Sequence, residues 1–243
     1  MPTDTSKVYV PQAPKVRGVI YRAPLGSKLP TDAVTALAAA YKDLGGISDA
    51  GIVNAQSRDV KKIKDFAGDT IATPQSDYSE TLEVEFVEAT NLEVLKTVFG
   101  DTNVTFQAAT STKGAEITVD HNSDTLPKNV YVVETIQGAG VKRMIAAIAQ
   151  PTKVGDVSQV NTDIVKYKVT FECFKFLDGD KAFNIREFIN DGKPTGDKPV
   201  ENKPTDNKPV DNKPVENKPV DDKPVENKPA DNKPVDSKPD SQA

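Results

Sequence analysis

Cysteine is nearly absent from this chain of 243 residues: Cys173 stands alone. One thiol excludes an intramolecular disulfide and any metal site built on several cysteines. Histidine is as scarce, with His121 alone, so a histidine metal centre or a Ser-His-Asp arrangement has too few parts. Long apolar runs are missing too. The N-terminal "MPTDTSKVYVPQAPKVRG" lacks the apolar stretch of a secretory signal, and no segment approaches membrane-spanning length. These absences predict a chain made and folded in a cytoplasm. Clustered basic charge is also lacking. The formal net charge is −5, mostly carried ahead of residue 193, and a mildly acidic body has little basis for releasing counterions from a phosphate backbone.

Core-forming residues vanish towards the C-terminus. Ten Lys-Pro pairs recur every five residues from Lys193 to Pro239, with no aromatic residue and no Leu or Ile among them. Proline fixes φ and removes a donor, while Lys, Asp, Glu and Asn favour hydration. The segment 191–243 is therefore expected to be disordered or polyproline-like. All nine Phe and six Tyr precede it. That leaves one domain with a sizeable core over 16–190. Residues 1–15 hold three prolines around Val8, Tyr9 and Val10, which reads as an extended arm.

Within 16–190, "LPTDAVTALAAAYKDLGG" predicts a helix capped by Thr31 or Asp32, with Val34, Leu37, Tyr41 and Leu44 on one face and Gly45 and Gly46 ending it. A shorter helix fits "NLEVLKTVFG", from a cap at Asn91 to a stop at Gly100. The rest reads as strands. "ETLEVEFVEA" alternates Leu82, Val84 and Phe86 against Glu83 and Glu85. Further strands are expected at 16–23, 52–56, 69–73, 116–120, 130–136, 142–149, 164–176 and 183–189. Residues 57–76 are polar and charged, and read as a loop. "DIVKYKVTFECFKF" is apolar in both registers, as in a strand buried on both faces or one covered by a neighbouring subunit. The fold class is mainly β with one or two helices: an antiparallel sandwich or barrel with a flanking helix.

Candidate chemistry is thin. His121 lies in the polar stretch "VDHNSD", and Asp120 and Asp124 beside it match no EF-hand spacing. "QGAGVKR" has Gly138 and Gly140 but not the third glycine and helix of a dinucleotide loop. Cys173 sits in the most apolar strand, where a thiol is inert. Glu83 and Glu85 are two apart on a strand and face the same way, unlike an acid and a base opposed across a cleft. No catalytic group, cofactor or metal site is expected.

Four stretches carry a family resemblance: "YRAPLGSKLPTDA" (21–33), "LGGISDAGI" (44–52), "SRDVKKIKDFAGDTI" (57–71) and "ETLEVEFVEATNLEVLKTVFGDTNV" (80–104). In this order and spacing they resemble the major tail proteins of long-tailed bacteriophages, over the body but not the repeat. The resemblance implies a structural virion protein with a tail-tube β-sandwich, six copies to a ring. Rings would stack around a tape-measure protein and meet other tail proteins, with DNA passing through the bore in transit, no tight nucleic-acid binding and no membrane. Assembly would take place in the host cytoplasm. It also implies that Glu83 and Glu85 are candidates for the bore, Arg58, Lys61, Lys62, Lys64 and Asp65 for an inter-ring loop, and the arm at Val8, Tyr9 and Val10 for contact with another subunit. Lys-Pro tracts also resemble the wall-spanning segments of bacterial surface proteins. An adhesin is the rival reading, though it lacks export and sorting signals.

Overall fold

The computed structural model of the protein describes residues 3–194. From residue 195 on, the expected disordered repeat lies outside the described residues. Along the chain come β1 Ile20–Pro24, β2 Lys42–Asp43, β3 Ile47–Val60, β4 Ile63–Lys64, β5 Thr70–Ala72 and β6 Gln75–Phe86. The helix α1 Leu92–Phe99 follows. Then come β7 Val104–Gln107, β8 Glu116–Val119, β9 Asn129–Gln137, β10 Gly140–Val154, β11 Tyr167–Cys173, β12 Phe176–Asp178, β13 Lys181–Phe183 and β14 Ile185–Asn190.

The main sheet runs β2-β1-β9-β10-β11-β6-β3, with β14 also paired to β10, and every pairing is antiparallel. β10 makes it a sandwich. Its first half pairs with β9 and β14; after a register break between Ala146 and Ala149, its second half pairs with β11. Such a break re-aims a strand, and β10 passes from one layer into the other. Ile20, Tyr131, Val133 and Ala146 of the first layer meet Leu82, Val84, Phe86, Val169, Phe171 and Cys173 of the second in one buried cluster. The alternation read in "ETLEVEF" produces this: Leu82, Val84 and Phe86 are buried, and Glu83 and Glu85 point the other way.

The strand buried on both faces is β9, not the stretch at 164–176. Tyr131 and Val133 fill the main core, while Val130 and Val132 join Tyr21, Ala23, Tyr41 and Ile145 in a second cluster. β11 is shorter than expected and alternates, with Val169, Phe171 and Cys173 inward. Phe174 lies just past the end of that strand, where its N–H donates to the Ile148 carbonyl at 2.8 Å, and Phe176 opens β12, paired with Phe183 of β13.

The helix predicted from "TDAVTALAAAYK" does not form. Its cap does: Asp32 accepts from the backbone N–H groups of Val34 (2.7 Å) and Thr35 (2.6 Å) and from the Thr35 hydroxyl. These bonds, the Thr35 hydroxyl's first, hold the Asp32 carboxyl below its ordinary range. The helical ladder is then pre-empted. Arg143 donates to the carbonyls of Asp32 (2.6 Å) and Thr35 (2.8 Å), which a helix would offer to the N–H groups four residues on. Tyr41 is pulled into the second cluster and its hydroxyl donates to the Lys28 carbonyl at 3.0 Å. Residues 25–41 form a strap over β1, β9 and β10, ending in β2 on the edge of β1. α1 forms as its signals predict: Asn91 accepts from Glu93 N–H at 3.0 Å, and Gly100 takes a φ of 98° at the stop.

Candidate assembly surfaces

Residues 57–76 are not a loop. They are the upper part of a long hairpin in which β3 and β6 keep one register from Ile52 to Asp59, shift between Asp59 and Val60, and end at Val60 against Gln75, topped by the short pair β4 and β5. At its foot, Glu80 lies in phase with Leu82, Val84 and Phe86 and is buried with them. The carboxylate is satisfied by neutral donors: Asn54 Nδ2 (3.1 Å) and Gln56 Nε2 (3.0 Å) on Oε1, and the Tyr78 hydroxyl (2.9 Å) on Oε2. This polar clasp takes over where the apolar core stops, and it holds the two strands together as they leave the body. The phase of Glu80 in an alternating strand was the sequence signal that would have found it.

Arg58 stacks over the Tyr78 ring at 4.4 Å, and so braces the hairpin. Above it Lys61, Lys62, Lys64 and Asp65 are all exposed, with Asp65 closing the tip: its Oδ1 accepts from the Asp69 N–H at 2.8 Å. Gly68, at a φ of 91°, makes the turn that a side chain would resist. Between them Phe66 is fully exposed. From Gln56 to Lys64 the hairpin rises by roughly 25 Å, at about 3.3 Å per residue.

Glu83 and Glu85 share the outer face of β6, half-buried, as their spacing requires. They are not an isolated acidic pair. Lys168 of β11 stands opposite Glu85 in register, and its Nζ meets Glu83 Oε1 at 2.7 Å. The bond and the charge of Glu83 push the Lys168 pKa up. Thr170 lies opposite Glu83, and Lys153 opposite Thr170. The band across β6, β11 and β10 is therefore of mixed sign.

The arm, for which contact with another subunit was expected, is bonded to its own domain. Gln12 and Ile136 exchange backbone hydrogen bonds at 2.9 Å, Tyr9 Oη and Thr135 Oγ1 are 3.0 Å apart, and Val10 N–H donates to Gln137 Oε1 at 3.0 Å. β1 pairs with β9 only as far as Val133. The arm takes the free edge beyond, meeting the backbone's need for partners. Val8 and Val10 remain about half exposed.

Behind the strap lies a charge cluster that the sequence did not announce. Arg143 and Glu134, both 1% exposed or less, are paired through Nε to Oε1 at 2.8 Å and also through Nη2. Arg17 Nη2 reaches Glu134 Oε2 at 3.0 Å, off the hydrogen-bonding direction. His121 stacks on Phe99 with ring centroids 4.3 Å apart. Burial pushes the Cys173 thiol up to about 12. Among the described residues no group of three or more His, Cys, Asp or Glu is placed to hold a metal ion, and no helix is long and apolar enough to cross a membrane.

Residues 1–197 match a family model described as phage tail tube protein. No curated protein matches the chain.

Proposed function

The chain belongs to the phage tail tube protein family, a structural component of the virion tail, and on that premise we propose that its copies close into six-membered rings that stack into a hollow tube. DNA passes through the bore during ejection, a tape-measure protein fills it beforehand, and assembly takes place in the host cytoplasm. The observation that carries the stacking is the hairpin at 57–76. It stands well clear of its own body, with an exposed Phe66 at the end and nothing among the described residues to bury it. A bare projection of this kind is costly in a monomer and is accounted for by a partner.

In this reading Arg58, Lys61, Lys62, Lys64 and Asp65 belong to the inter-ring hairpin. The exposed edge of the arm, with Val8, Tyr9 and Val10, packs on another subunit while its inner edge stays on β9. Glu83 and Glu85 face the bore with Lys168 between them. A band of mixed sign neither grips nor strongly repels a polyanion, which suits a conduit. The wall is built from 16–190.

Negative-stain microscopy of the purified protein tests the proposal. Rings of uniform diameter and tubes built from them are the expected result. A monodisperse monomer across a range of concentration, salt and pH would overturn it.

A further inference from the structure

A groove of about 760 Å³ opens at the foot of β3, and core residues form its floor: Val19, Ile47, Ile52 and Met144. The last three are only partly buried against the main cluster. Asp49 and Glu187 stand on its rim, and Tyr9 of the arm flanks it. The sandwich is thus unfinished here, where apolar side chains have no cover from their own chain among the described residues.

Phe66 presents the converse, a large apolar ring left fully exposed among the described residues. It cannot fill this groove in its own chain. From Asn54, the groove residue farthest along β3, the strand climbs roughly 20 Å to Val60, at about 3.3 Å per residue, and Phe66 lies beyond. The charges match as well. The tip carries Lys61, Lys62 and Lys64 against Asp65 and Asp69. The foot carries Asp49 and Glu187, with Asp43 and Glu88 lining a second hollow that shares Ala13, Val19 and Ile47 with the groove; Lys142 and Arg17 balance these in part.

We propose that the groove at the foot of β3 receives the Phe66 tip of a second copy of this chain, and that this is the contact by which one ring seats on the next. The inference rests on the stacked-ring reading and adds its receiving surface. Knob and socket lie at opposite ends of one strand, so the contact is heterologous, and repetition of it builds an open stack rather than a closed pair.

Cross-linking tests it. Ala67→Cys, which keeps the neighbouring Phe66 ring, and Asp49→Cys are placed together in the full chain, both at exposed positions. The native Cys173 is 2% exposed and does not compete. Assembled protein treated with a short bismaleimide should give a ladder of covalent oligomers on denaturing gels. Ala67→Cys paired instead with Leu177→Cys, exposed on β12, should give none. Phe66→Ser should leave rings intact and cut tube yield tenfold or more, as expected for about one buried aromatic ring lost per contact. Tubes of the first double variant that form without giving the covalent ladder would overturn the groove as receiver and leave the stack standing. Failure of the unaltered protein to form rings or tubes would overturn both.

Discussion

Arg143 holds two things at once. Its guanidinium neutralises the fully buried Glu134 and takes the two strap carbonyls that would otherwise start a helix. Arg143→Ala leaves Glu134 with only the half-exposed Arg17, and should cost about 3–5 kcal/mol in urea unfolding, the usual penalty for orphaning a buried charge. Replacing the pair together, Arg143→Met with Glu134→Leu, should recover much of that loss, because the desolvation cost goes with the charges. A second residue-scale consequence concerns alkaline pH. Burial first, then Glu80 and Glu172, raises the Cys173 thiol from 9.0 to about 12, and burial first, then Asp43, raises the Tyr21 phenol from 10.0 to about 12. Both groups become charged by losing a proton, and the folded state disfavours that form. Their contribution is complete below about pH 9 and declines as pH rises towards about 12, at up to about 1.4 kcal/mol per pH unit for a single group. Urea titrations between pH 8 and 11 should show that decline, and Cys173→Ala should make its first part shallower. Neither arginine nor glutamate of the pair was legible in the sequence, since Glu134 follows the apolar run at 130–133 and reads as a charge at a strand end.

At the scale of elements, two segments with helical signals met different fates for a stated reason. α1 presents Val94, Leu95 and Val98 to the core, so propensity, cap and burial agree. In the strap, propensity and cap favoured a helix, but Arg143 and the burial of Tyr41 took the backbone elsewhere; tertiary contacts outweigh preferences of a few tenths of a kcal/mol per residue. Glycine substitution separates the cases. Lys96→Gly in α1 should cost about 1 kcal/mol, whereas Ala36→Gly in the exposed strap should cost less than about 0.5 kcal/mol, because no helix is lost. The hairpin was illegible for the opposite reason. Strands exposed on both faces show no alternation to read, and its register is kept by Arg58 against Tyr78 and by the Glu80 clasp. Replacing 61–73 with a two-residue Asn-Gly turn should leave the thermal midpoint of the isolated protein within a few degrees. It should abolish tubes in micrographs while rings persist.

At the scale of the whole molecule, the class was readable and the path was not. Alternation in β6 and turn residues between strands were enough for an antiparallel β-sandwich with a flanking helix. That one strand, β10, serves both layers depends on the register break between Ala146 and Ala149, which leaves no mark in local composition. The last strand among the described residues ends at Asn190. Removing the residues after Pro194 should therefore leave both the urea midpoint and the yield of tubes unchanged. A truncated chain that no longer assembles would move part of the tube wall into the repeat.

Because β3 carries the tip at one end and the groove at the other, each protomer is an arrow. Arrows laid tip to groove add in one sense only, so a growing stack has two unlike faces, one offering knobs and the other sockets. Growth, capping and docking are then decided by which face a visitor can read. Nothing in such a contact counts: every added layer recreates the end it covered. In the proposed stack, then, this contact alone would set no number of layers.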